Sequence, residues 1–233
     1  MLFRSVSWNS TSVNLPATSA TALALDLSGA DPILYAGTSN GVYDITQVAD
    51  LDADGPPDVT EASAPFSGDG NEDGILDAQQ TNVASIAGAG AARSPNSPLD
   101  AKVTISVAPQ VGSCTRMNDA GAAEAEKIGP TDGEYTFPLG LIRFELLDCT
   151  SAFISVRYSG QSFSPRFRFR NFGPEIAGNP GSVAWRNTAA GVTGNTWTFL
   201  LSDNAPGDNR DEAGRILIFA GPGVEGIFAN GFE

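Results

Sequence analysis

The chain contains no histidine. That removes the commonest general base and the commonest transition-metal ligand, and with them the usual nucleophile triads. No serine sits in a nucleophile-elbow pattern, and no glycine-rich phosphate loop opens a helix. The chain is therefore read as a non-enzyme. Basic residues are scarce: 13 Lys and Arg stand against 27 Asp and Glu, a formal net charge of −14. Such acidity argues against nucleic acid as a partner, because phosphates would be repelled. No apolar run reaches helical membrane-spanning length, so no membrane span is expected. The first twelve residues also lack the apolar stretch of a signal peptide. What the 233 residues do have is turn chemistry, with 26 Gly and 15 Pro, which suits a β-rich protein.

Charge is concentrated. Between Ser5 and Ala92 there is no Lys or Arg, but there are twelve Asp or Glu. Two loops within that stretch share one plan. The first has Asp50, Asp52, Asp54, Asp58 and Glu61 at positions 1, 3, 5, 9 and 12, with Gly55 at 6 and Pro56 at 7. The second has Asp69, Asn71, Asp73, Asp77 and Gln80, with Gly74 and Ile75 at the matching places. This is the spacing of a twelve-residue calcium loop, in which position 7 supplies a backbone carbonyl. The alternative is a solvated acidic linker, since Asp, Asn and Gly are common turn residues. A bound dication would relieve repulsion among so many carboxylates. The first loop carries more carboxylates and is expected to bind more tightly. The second, ending in neutral Gln80, is expected to be weaker or to borrow a carboxylate. Pro65, Phe66, Ser67 and Gly68 leave no room for a helix between the loops.

The loops resemble the calcium repeats of thrombospondin type 3 modules and similar bacterial surface proteins, most closely over "GDGNEDGILDAQQ". The resemblance implies Ca2+ as cofactor, with Asp50, Asp52, Asp54, Asp58, Asp69, Asn71, Asp73 and Asp77 as ligands.

Residues 1–48 read as β strands at 21–26, 33–37 and 42–45, with a hairpin turn at Asn40-Gly41. Over about 45 residues the pattern "LPATSATALALD…ADPILYAGTSNGVY" resembles one blade of a sialidase-like or photosystem-assembly-like β-propeller; a generic hairpin is the alternative. One blade needs neighbours to bury its faces. The chain is therefore expected to begin inside a longer protein, which would also account for the missing signal peptide.

Residues 81–100 are small and proline-punctuated and read as a linker, after a short helix near 77–83. From Ala101, strands recur at 102–107, 137–147, 152–158, 166–172, 182–187, 196–203 and 215–220. Their alternation and spacing predict an antiparallel two-sheet sandwich, jelly-roll-like. Leu141, Phe144, Ile154, Val156, Trp185, Trp197, Phe199, Ile216 and Ile218 are the core candidates. Cys114 and Cys149 are the only cysteines. Beside calcium loops they are read as a disulfide rather than two unrelated thiols.

The pieces "GILDAQQTNVASI", "FPLGLIRFEL", "FGPE", "TFLLSDNAPGD" and "GRILIFAGPG" resemble the bacterial surface module known as choice-of-anchor U. That family has a second acidic turn where this chain reads Asp203 to Glu212, and Arg210 intrudes there. The end, "GIFANGFE", resembles a tail of secreted gammaproteobacterial proteins, either a sorting tag or a disordered end. In Arg166-Phe-Arg-Phe-Arg170 a period of two puts the arginines on one face. That face is either a patch for an anionic polysaccharide or a salt-bridged strand surface.

The organisation expected is mainly β. A β segment (1–48) and tandem calcium loops (49–83) come first. A linker (84–100), the sandwich (101–225) and a tail (226–233) follow. The function expected is a calcium-binding structural or adhesion module, extracellular or at the cell surface, with a surface polysaccharide or another surface protein as partner. The competing expectation is a carbohydrate-binding accessory module displaying Trp185, Trp197 or Tyr158.

Overall fold

The computed structural model describes residues 22–28, 33–38, 41–46, 48–86, 102–123, 132–177, 179 and 181–226. It divides into two units, Met1–Asp50 and Leu51–Glu233, each taken by itself. In the first, β1 (Ala22–Asp26), β2 (Ile33–Thr38) and β3 (Gly41–Thr46) form an antiparallel sheet in chain order. The three strands match the expected ones. Asn40 of the predicted turn lies outside the described residues, as do residues 87–100 of the predicted linker, Ala101 at the start of the predicted sandwich, and 227–233 of the tail.

The second unit is mainly β, as expected. Its nine-stranded antiparallel sheet is built around β7 (Leu141–Tyr158). One edge of β7 carries β5 (Val103–Ala123) along its length. The other edge changes partner. It pairs with β12 (Arg215–Glu225) over 142–147, then with β11 (Thr196–Ser202) over 151–157. Asp148, at the change, has φ 53°, a bulge-like conformation that re-aims the strand. From there the sheet runs in two directions. β12 leads to β8 (Phe167–Pro174) and β9 (Val183–Asn187), with β6 (Tyr135–Thr136) also on β12. β11 leads to β10 (Ala190–Thr193). The two arms face each other as layers of a sandwich: the Phe169 ring of β8 lies 5.6 Å from Trp197 and 4.8 Å from Phe199 of β11. Ile105, Phe144, Leu146, Ile154, Val156, Ile216 and Ile218 fill the space between. Burying these apolar side chains is the main drive for closing the layers.

The core candidates are buried except Trp185, which is half-buried beside Phe137 and Phe172. The Cys114–Cys149 disulfide forms, joining β5 to β7 next to the change of partner.

Several boundaries differ from the expectation. The expected strands 137–147 and 152–158 are one strand that starts only at Leu141, after a turn at 137–140, because the bulge at Asp148 bends β7 without ending it. β5 continues far beyond Val107, through register shifts that absorb Pro109, Gly112 and the left-handed Cys114 and Asp119. Val83–Ile86, placed partly in the linker, is a fully buried strand, β4, paired with β5. Four small or apolar residues are too few to show a period, and pairing with β5 makes them a strand. The expected helix near 77–83 is only a 3-10 turn at Asp77–Gln79. Between the loops, α1 (Asp58–Glu61) is one turn, and α2 (Pro65–Gly68) is not a regular helix. Phe66 and Ser67 there are left-handed, with φ 56° and 64°.

The arginine-rich strand has the alternation expected of it. Phe169 points into the core, while Arg170 is buried on the opposite face with Asp132 at 2.8 Å and stacks over Tyr135. Exposed Arg166 and Arg168 donate to backbone carbonyls.

Candidate metal centre

The first loop bends twice through positive φ, at Ala53 (61°) and Gly55 (128°). The bends bring one carboxylate oxygen each from Asp50, Asp52 and Asp54 within 4.8 Å of one another. Oxygens on opposite sides of a calcium ion, bound at 2.3–2.6 Å, stand about 4.6–5.2 Å apart. The donors are all oxygen, the choice of a hard cation. The residues present therefore fit calcium in type and in spacing. Asp54 is fully buried, and its carbonyl accepts the Ala120 N–H at 2.9 Å. A Cβ on Gly55 would stand 2.5 Å from the same Ala120 nitrogen, so only glycine lets the loop lie this close to β5.

The second loop turns at Glu72 (φ 63°) and Gly74 (φ 90°). Asp69 accepts the N–H groups of Asp73 at 3.0 Å and Gly74 at 2.9 Å. Asn71 Oδ1 accepts Asp73 N–H at 3.3 Å, and Asp73 accepts Ile75 N–H at 2.9 Å. The Gln80 side-chain amide donates to Asp73 Oδ1 and to the Ile75 carbonyl, both at 3.2 Å. Asp69, Asn71, Asp73, Ile75 and Gln80 are thus gathered around one small loop.

The remaining sequence-predicted residues face elsewhere. Asp58 accepts the N–H of Leu51 at 2.9 Å, and Asp77 accepts the N–H of Gly70 at 3.0 Å. In both loops the carboxylate at position 9 closes onto the amide at position 2, so the repeat seen in sequence is also a repeat of hydrogen bonding. Glu61, fully buried, accepts the Ser85 N–H at 3.1 Å. Pro56 is buried and Ile75 exposed. Burial pushes the Asp77 carboxyl above its ordinary value. The Ser85 and Gly70 hydrogen bonds oppose this, and the charges of Asp69 and Asp73 add to it. The loops are also joined: the Gln80 backbone N–H donates to Asp52 at 3.0 Å.

Sequence reasoning missed the residues that seat the loops on the sandwich. Ser85 Oγ lies 2.6 Å from both Asp77 and Thr104. Arg157 donates to the Gly70 carbonyl at 3.1 Å, pairs with Glu72 and lies over the Phe66 ring. Lys102 donates to the Ser63 carbonyl. A Cβ on Gly70 would meet Thr104 Oγ1 at 2.2 Å. Nothing local in sequence marks these contacts, because each crosses between separate segments.

In the Asp203–Glu212 turn the acids are committed to the fold. Buried Asp208 accepts backbone N–H groups from Asn204, Arg210 and Leu217, each at 3.0 Å. Asp203 accepts the Gly214 N–H at 2.8 Å, and Arg210 turns away to Glu145. Asp211 is exposed.

Comparison with protein-family models, with curated proteins and with solved structures finds no match.

Proposed function

We propose that this protein is a calcium-stabilised structural or adhesion module that works outside the cell. The observation that carries the reading is the convergence of Asp50, Asp52 and Asp54 within 4.8 Å, in a stretch without a single basic residue. A cation held among them would offset the repulsion between like charges at this distance. In this reading Asp50, Asp52 and Asp54 hold one ion, and Asp69, Asn71, Asp73 and the Ile75 carbonyl hold a second. Asp58, Glu61 and Asp77 shape the loops. The loops rest on β4, β5 and β7, so an ion that orders them also steadies one side of the sandwich. The disulfide suits an oxidising compartment. The likeness to thrombospondin type 3 repeats and to the choice-of-anchor U module agrees with a surface role.

The carbohydrate-binding alternative has less to stand on. Trp197 and Tyr158 are buried in the core, which leaves half-buried Trp185 as the one remaining aromatic of the three.

Calcium binds the folded loops and not the unfolded chain, so it should raise the melting temperature. Calorimetry with millimolar calcium and then with chelator checks this. A melting temperature that ignores both would remove the metal reading.

A further inference from the structure

A second feature lies away from the acidic loops. Between the two layers is a cavity of about 130 Å³, closed on one side by the turn carrying Ala205 and Pro206. Its far walls are apolar: Phe199 and Leu201 from β11, Ile216, Ile218 and Ala220 from β12. Its near wall is polar. Asn171 on β8 stands directly opposite Arg186 on β9, so their side chains share a face, and Thr188 follows two residues later on that face. All three line the cavity. Each also has a buried polar atom without a hydrogen-bond partner: Asn171 Oδ1, Arg186 Nη1 and Thr188 Oγ1.

Buried polar groups are nearly always hydrogen-bonded, so three orphans around one void call for an occupant. The cation sets its charge. Burial lowers the Arg186 pKa, and among the described residues no carboxylate offsets it. Asp208 also lines the cavity, but its carboxylate already receives three backbone N–H groups. Arg186 is half-buried with Nη1 enclosed, and a guanidinium nitrogen shut away from water is normally matched by an oxyanion. Thr188 adds a second donor. Asn171 Oδ1 adds an acceptor, which asks the occupant for a hydroxyl of its own. The space equals that of about four water molecules, so the occupant is small.

We infer that this cavity is a binding site for a small hydroxy-carboxylate. The carboxylate meets Arg186 and Thr188, the hydroxyl donates to Asn171, and the carbon skeleton rests on the apolar wall. The site is independent of the calcium loops.

Isothermal titration of the full chain, at fixed calcium, uses lactate, acetate and acetamide as probes. Lactate should bind saturably, acetate more weakly, and neutral acetamide not at all. Arg186→Met and Thr188→Val should each weaken lactate by tenfold or more, with melting temperatures confirming that both variants fold. If either variant unfolds, chemical-shift changes at Asn171 and Arg186 in the unaltered protein report the same contact. Lactate that fails to saturate by about 50 mM, or acetamide binding as well as acetate, would overturn the proposal and leave the cavity to water.

Discussion

Glu145 shows how one residue can be both buried and charged. It is 3 % exposed, and Arg210 and Arg215 each reach it at 2.7 Å. Burial alone would raise its pKa. The hydrogen bonds and charges of Arg215 and Arg210 outweigh this and hold it below its ordinary 4.5. A carboxyl with a lowered folded pKa stabilises above its unfolded value, and loses that contribution as pH falls through the folded one. Glu145→Gln should therefore cost about 3 kcal/mol at neutral pH, the low end for a broken buried pair because both arginines reach solvent. Denaturant unfolding at two pH values checks this: the cost should shrink near pH 3. The position-6 glycines make a sharper comparison. Gly55→Ala meets both a left-handed φ and the Ala120 backbone, whereas Gly74→Ala meets only the φ, with nothing within 4 Å. Gly74→Ala should cost about 1–2 kcal/mol and Gly55→Ala clearly more. Equal losses in chemical denaturation would mean that the first loop can lift from β5.

At the level of elements, the two loops are unequal partners. Asp54 is buried within a carboxylate cluster, while Asp73 is exposed and held by Asn71, Ile75 and Gln80. Ligand charge tunes calcium affinity. Asp54→Ala is therefore expected to lose more calcium-dependent stability than Asp73→Ala in titration and melting. The reverse order would mean that the link from Gln80 to Asp52 makes the loops one shared site. The loops were legible in sequence because their acidic side chains, their glycines and their repeat all lie within about thirty residues. So were the short strands with clean alternation, such as β8 and β11. The second half of β5 was not. Its residues, "VGSCTRMNDAGAA", lack alternation and have only Val111 and Thr115 as β-formers, and the long edge of β7 makes them a strand. Nor was the cavity wall, since Asn171, Arg186 and the closing turn meet only once β8, β9 and β11 are in place.

For the whole molecule, the disulfide and the long strand act together. Cys114–Cys149 spans 35 positions and pins β5 to β7 where β7 passes from one layer to the other. Replacing both cysteines with alanine should cost about 3–4 kcal/mol, the loop entropy that the bond removes from the unfolded chain. Equilibrium denaturation with and without reductant gives the same comparison in the unaltered protein, and a loss below about 1 kcal/mol would show that the bond adds nothing the strands do not already provide. The change of partner along β7 also bears on mechanical load. Most sandwiches can shear between their sheets, because loops alone connect the two. Here a single hydrogen-bonded strand is threaded through both. Tension on the chain cannot slide one layer off the other without breaking β7 out of its ladder with β5. The module is built like a strap folded over its own rivet, and it would resist pulling as one piece.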